Sequence, residues 1–232
     1  RGLGDVYKRQ RRGQDYHSAN PPLYDSSTFH QTVLGGNAQY DYARSGNLNR
    51  TLLEEKLARL EGGKYAFAYA SGIAAITAVL LTLKSDDHVI LPDDVYGGTF
   101  RLTEQILNRF NIKFTTVNTT NILEIKNAIQ SNTKLIYVET PSNPLFKITD
   151  IRAVARIAKQ NNLLLAVDNT FMTPLGQSPL ALGADIVVHS ATKFLGGHSD
   201  LIAGAAITNR KDIADALYLL QNGTCLLYTS PS

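Results

Sequence analysis

The chain of 232 residues has one cysteine, Cys225, one methionine, Met172, and no tryptophan. A lone cysteine excludes an intrachain disulfide framework, and no Cys/His cluster has the spacing of a structural zinc site, so no metal is expected. Apolar runs all fall short of the roughly 18 residues that span a membrane, and the start lacks the apolar centre of a secretory signal. A cytoplasmic address with no membrane partner is the expectation. No G-x-G-x-x-G turn joins a strand candidate to a helix, which argues against a nucleotide-binding oxidoreductase. Positive charge is concentrated at one end: Arg1, Lys8, Arg9, Arg11 and Arg12 against Asp5 contribute +4 to a net charge of +3, so the rest sums to −1. That balance leaves no nucleic-acid footprint.

What is present is material for a large core, with 44% apolar and 19% charged residues. From Glu61 onward, short apolar runs alternate with longer amphipathic stretches, the pattern of βαβ units around a mostly parallel sheet. The strand candidates are "AFAYA", "HVILP", "KFTTVN", "KLIYVE", "LLLAVD", "DIVVHS" and "GAAIT". Helices are expected over Asn49 to Leu60, Gly72 to Leu83, Thr99 to Phe110, Asn121 to Gln130 and Thr149 to Gln160. In the last of these Thr149 and Asp150 carry the N-cap signal, and Ile151, Val154, Ala155 and Ala158 keep helical spacing. Residues 13–48 are turn-rich and read as an extended arm leading to a loop. The ends, "RGLGDVYKRQ" and "CLLYTSPS", resemble translated sequencing-adaptor sequence, so 1–12 and 225–232 are expected to be a non-native leader and tail.

In an open parallel sheet ligands bind beyond the carboxyl ends of the strands. Four such ends carry polar groups of different kinds: Tyr96 in "DDVYGG", Glu139 and Asn143 in "ETPSNP", Asp168 in "DNTF", and Ser190, Thr192 and Lys193 in "SATKFLGG". Ser71 and Gly72 open an apolar helix whose free N–H groups and positive dipole end suit an anion. Singly, these residues read as solvated lysine, turn aspartate, packed tyrosine and helix cap. Together, a phosphate cup, an aromatic plate, a carboxylate and an amine match the needs of pyridoxal phosphate.

The segments "ETPSNPL", "VDNTF" and "HSATKFLGGHSD" resemble the signatures of the Cys/Met-metabolism family of pyridoxal-phosphate enzymes, of fold type I, over about Pro22 to Thr224. The resemblance implies a three-layer α/β/α large domain over 49–224 with a mostly parallel central sheet. It also implies a small C-terminal domain that this chain lacks. By motif, Lys193 would be the cofactor-anchoring lysine and Asp168 the partner of the ring nitrogen. Tyr96 would be the stacking ring and a proton-transfer group, and Asn143 would lie near the ring hydroxyl. Ser71, Gly72, Ile73, Ser190 and Thr192 would bind phosphate. Tyr42 and Arg44, in "YARSGNLN", would reach the phosphate of a neighbouring subunit, which implies a homo-oligomer, a dimer of dimers. The chain departs from the family pattern at Leu48 and Asn49, where Pro-Thr is usual, and at Ile73, where methionine is common.

The activity so implied is carbon–sulfur lysis of cystathionine by β-elimination, with γ-elimination and γ-replacement as alternatives within the family. A non-catalytic cofactor-binding fragment is the alternative from another class. As the base that removes the substrate α-proton, Lys193 must be neutral, and burial beside the cofactor is expected to lower its pKa from the usual value of about 10.4.

Overall fold

The computed structural model describes residues 20–224 apart from 32, 34 and 37. The proposed leader and tail, and the start of the arm at 13–19, lie outside the described residues. The elements run α1 Leu48–Glu61, β1 Tyr65–Tyr69, α2 Gly72–Leu80, β2 His88–Pro92 and α3 Gly97–Arg101, which continues through a π turn at Leu102–Ile106 and a 3-10 turn at Leu107–Phe110. They continue as β3 Lys113–Val117, α4 Ile122–Asn127, β4 Thr133–Glu139, α5 Ile151–Gln160, β5 Leu164–Asp168, α6 Thr173–Gly176, α7 Pro179–Leu182, β6 Ile186–His189, β7 Gly204–Thr208 and α8 Lys211–Gly223.

The strands form one seven-stranded sheet in the order β1-β7-β6-β5-β4-β2-β3. It is parallel except at β7, which runs antiparallel to both its neighbours. Alternate residues of each strand serve opposite faces. Leu135 and Tyr137 pack with Ala75, Val79 and Leu80 of α2 and Ile213 and Leu217 of α8. Ile136 and Val138 pack with Ile125 of α4 and Val154 and Ile157 of α5. Leu57 and Ala58 of α1 cover Val187, Ala205 and Ile207 on that second side. Central strands covered on both faces are apolar without alternation, which is why "KLIYV" and "LLLAV" read as continuous runs.

Helix boundaries follow their caps. The Asp150 side chain accepts from Ala153 N, and Ser71 accepts from Ala74 N. The second helix stops at Leu80, short of Leu83, because Thr82 N and Leu83 N turn to the carbonyls of Val79 and Leu80, three residues back. Sequence reading has no element over α8, which starts at Arg210 without a side-chain cap. Among the described residues, 20–47 hold no helix or named strand, only a bridge between Thr28 and Tyr42. Asn49 anchors this stretch: its amide accepts from Tyr24 N and donates to Pro22 O, both at 2.8 Å.

Candidate active site

The carboxyl ends of β2, β4, β5 and β6 meet the start of α2 around a cavity of about 240 Å³. Nine of the eleven residues singled out by sequence line it: Ser71, Gly72, Ile73, Tyr96, Asn143, Asp168, Ser190, Thr192 and Lys193. Tyr42 and Arg44 do not. The Arg44 guanidinium lies 5.4 Å from the Tyr42 ring centroid and donates to Asn222 O at 2.6 Å, at the end of α8.

At the helix-start end of the cavity the backbone is packed tightly. A Cβ at Gly72 would stand 2.6 Å from Ser190 Cβ, and one at Gly204 only 2.1 Å from Ser71 O. Both glycines therefore let β6 and β7 close on the first turn of α2, whose N–H groups have no partners within the helix. An anion there meets those amides and the positive end of the dipole. Ser190 N donates to Thr170 Oγ1 at 2.8 Å. The Thr192 hydroxyl is engaged with Ala203, donating to its carbonyl at 3.2 Å and accepting from its N–H at 3.0 Å.

Asp168, 8% exposed, sits at the other end. Its carboxyl oxygens accept from Tyr137 Oη at 3.0 Å and from Thr170 N and Oγ1 at 3.0 and 2.5 Å. Burial, with Asp168 and Glu139 nearby, raises the Tyr137 phenol well above its usual range, so it stays a donor. Glu139 faces Asp168 across the β4–β5 register. Burial first, and then the Asp168 charge, push the Glu139 carboxyl up to about 8, against the lowering effect of backbone N–H donors at Tyr96 and Asn143.

Tyr96 is half exposed above this floor, its N–H held by Glu139 Oε2 at 3.1 Å. The second glycine after it has a steric purpose, since a Cβ at Gly98 would stand 2.5 Å from the ring Cε1. Lys193 is fixed by its backbone, N–H to Ser190 O at 3.1 Å and carbonyl to Gly197 N at 2.8 Å. Its side chain corrects one expectation: Lys193 is exposed, so the burial anticipated from sequence is not supplied by the described residues. It borders a second depression with Phe171, Phe194 and Ile202.

Thr170, Glu139 and Phe171 also line the cavity and are given no role in the sequence reading. Thr170 joins the two ends, donating to Asp168 while accepting from Ser190 N; its signal was an Asx-type turn, a hydroxyl two residues after an aspartate. Glu139 stands at a strand end, and Phe171 stacks at 5.7 Å on Phe146. Neither has a local pattern that separates it from turn or core residues.

An anion cup, a carboxylate with dedicated donors, an aromatic ring and an amine in one cavity fit pyridoxal phosphate. A family model described as "Cys/Met metabolism PLP-dependent enzyme" matches residues 5–230. Over 220 residues, 95% of the chain, it is 86% identical to the cystathionine beta-lyase MetC of Staphylococcus haemolyticus, of which it spans 56%. It is 51% identical over 88% of its length to the cystathionine gamma-lyase of Bacillus subtilis, spanning 54% of that protein. The crystal structure of cystathionine gamma-lyase from Lactobacillus plantarum complexed with L-serine superposes with a TM-score of 0.90 at 45% identity, over 92% of this chain and 56% of that one. The chain thus spans about half the length of its relatives. It belongs to the family of pyridoxal-phosphate-dependent enzymes of cysteine and methionine metabolism.

Proposed function

We propose that this chain carries the cofactor-binding part of a carbon–sulfur lyase that cleaves L-cystathionine, with water, to homocysteine, pyruvate and ammonia. The supporting observation is the convergence of Lys193, Asp168, Tyr96 and the α2 start on one cavity, in a chain 86% identical to a cystathionine beta-lyase. Residues 13–48 form the arm and 49–224 the cofactor-binding domain.

When bound, pyridoxal phosphate supplies an electron sink for the carbanion left at the substrate α-carbon. Ser71, Gly72 and Ile73 at the α2 start, with Ser190 and Thr192, hold the phosphate. Asp168, oriented by Tyr137 and Thr170, keeps a proton on the ring nitrogen. Tyr96 would cover the ring and pass a proton, and Asn143 would hold the ring hydroxyl. Lys193 would hold the cofactor through Nζ and, as a free neutral amine, would take the substrate α-proton. Tyr42 and Arg44, which stand away from their own cavity, serve the phosphate of a neighbouring copy in a dimer of dimers. The cytoplasmic address rests on the bacterial amino-acid enzymes among its relatives.

The test is the release of pyruvate from cystathionine by the chain, measured beside Lys193→Ala. Pyruvate from the parent and neither product nor bound-cofactor absorbance from the variant is expected; a variant that keeps the absorbance refutes the assignment of Lys193. The resemblance to gamma-lyases carries a second reading, γ-elimination, and 2-oxobutyrate in place of pyruvate selects it. Cofactor uptake without either product identifies a non-catalytic fragment.

A further inference from the structure

Glu139 is a buried acid to which the proposed chemistry gives no task. It lies at the last position of β4, paired in register with Asp168 at the last position of β5, and both are 8% exposed. Neighbouring strands stand about 4.8 Å apart, and residues in parallel register point to the same face. Two acids on neighbouring strand ends in a low-dielectric site repel as anions, and the Asp168 charge raises the Glu139 carboxyl.

Hydrogen-bond donors decide which one keeps the proton. Asp168 is offered the Tyr137 hydroxyl and both the amide and the hydroxyl of Thr170. Glu139 is offered only backbone N–H groups, at 3.1 Å from Tyr96 on Oε2 and from Asn143. The groups around it add to the imbalance. Asp94, from the loop after β2, is a further like charge; Tyr137 is a neutral phenol; among the described residues Lys193 is the one cation lining the cavity.

We propose that Glu139 is a positioning residue that holds the single proton of the Glu139–Asp168 pair, so that Asp168 alone is anionic at the cavity floor while Glu139 Oε2 fixes the backbone of Tyr96. The ring nitrogen of the cofactor then faces one negative charge. This rests on the pyridoxal-phosphate reading for its use, although the shared proton itself does not. In this state Asp168 would face the ring nitrogen as a single charge; on ionisation of Glu139 a second negative charge enters the floor beside it. The carboxyl value near 8 places that change at mildly alkaline pH.

The experiment has a cofactor-free arm and a loaded arm, using the full chain. Without cofactor, the melting temperature is followed from pH 6 to 9.5. Glu139 binds its proton more tightly folded than unfolded, so its contribution falls as pH rises and is lost by the time pH passes about 8. Glu139→Gln, which keeps an oxygen for Tyr96 N, abolishes that decline. Asp168→Asn removes the like charge and moves the pH at which the decline ends below 8. Loaded with pyridoxal phosphate, the parent shows a step in cofactor absorbance near pH 8 that Glu139→Gln lacks and Glu139→Asp restores. Equal pH dependence of melting in parent and Gln variant, or an unmoved end of the decline in Asp168→Asn, overturns the proposal. A cofactor that never loads, with the melting differences intact, overturns the cofactor reading and leaves the proton assignment standing.

Discussion

The carboxylate of Glu61 and the imidazole of His189, 128 residues apart in sequence, meet at 2.5 Å between Oε1 and Nε2, each side chain 1% exposed. The same Glu61 oxygen accepts from Asn169 Nδ2 at 2.9 Å, and Asn169 exchanges hydrogen bonds with Gln177, whose amide also donates to Thr140 O. One network thus ties the end of α1 to the residues following β4, β5 and β6. His189 and Asn169 directly neighbour Ser190 and Asp168, so this network sits behind both ends of the cavity. Truncation by Glu61→Ala strands a buried imidazole and amide and is expected to cost about 3 kcal/mol in urea unfolding. Glu61→Gln, which leaves an acceptor, is expected to cost less. A loss below about 1 kcal/mol for the alanine variant would show that water replaces the carboxylate freely.

Gly204 is a second position where the site and the fold cannot be separated. A Cβ there would lie 2.1 Å from Ser71 O and 2.9 Å from Gly72 N, and both are backbone atoms at the start of a helix. Gly204→Ala must therefore push the α2 start away from β7, at about 1–3 kcal/mol. Cofactor affinity is expected to fall by roughly tenfold or more, as about 1.4 kcal/mol of lost phosphate contact requires. Gly223→Ala, at the end of α8, where a Cβ meets nothing within 4 Å, is the matched control. Equal affinity in the two variants would show that the anion does not depend on this helix start.

These positions mark what sequence makes visible. Strand existence and order of appearance were legible because parallel strands covered on both faces leave unbroken apolar runs, and "HVILP" and "GAAIT" match β2 and β7 residue for residue. The candidate residues could be set at one sheet edge because they end or follow those runs, so that placing the strands placed Asp168, Ser190 and Lys193. The exposure of Lys193 and the engagement of Thr192 with Ala203 depend on how residues 194–203 fold back, which no local periodicity encodes. Glu139 was visible at a strand end, yet the upward push on its carboxyl comes first from burial and then from Asp168, which the β4–β5 register, a long-range pairing, sets beside it. Likewise α8 has an apolar face, Ile213, Ala214 and Leu217, but no cap residue to mark its start.

The amino ends of the strands hold a titrating group of opposite sense. His88 opens β2, with Nδ1 at 2.8 Å from Thr133 Oγ1 and Nε2 at 2.9 Å from Thr115 Oγ1 on the two neighbouring strands. Burial lowers its pKa below the usual 6.5, so the folded chain takes up this proton later than the unfolded chain does. Between those two values the unfolded state binds more protons, and stability contributed by neutral His88 is lost as pH falls from about 6.5 through the folded value. Glu139 works in the other direction over the same range, its protonated form favouring the fold as pH falls, so the net profile of the parent conceals both. The difference between parent and His88→Gln isolates the histidine: the parent's melting temperature, relative to the variant's, is expected to drop between pH 7 and 5. A constant difference over that interval would mean that the protonated imidazole is accepted between the two threonine hydroxyls without cost.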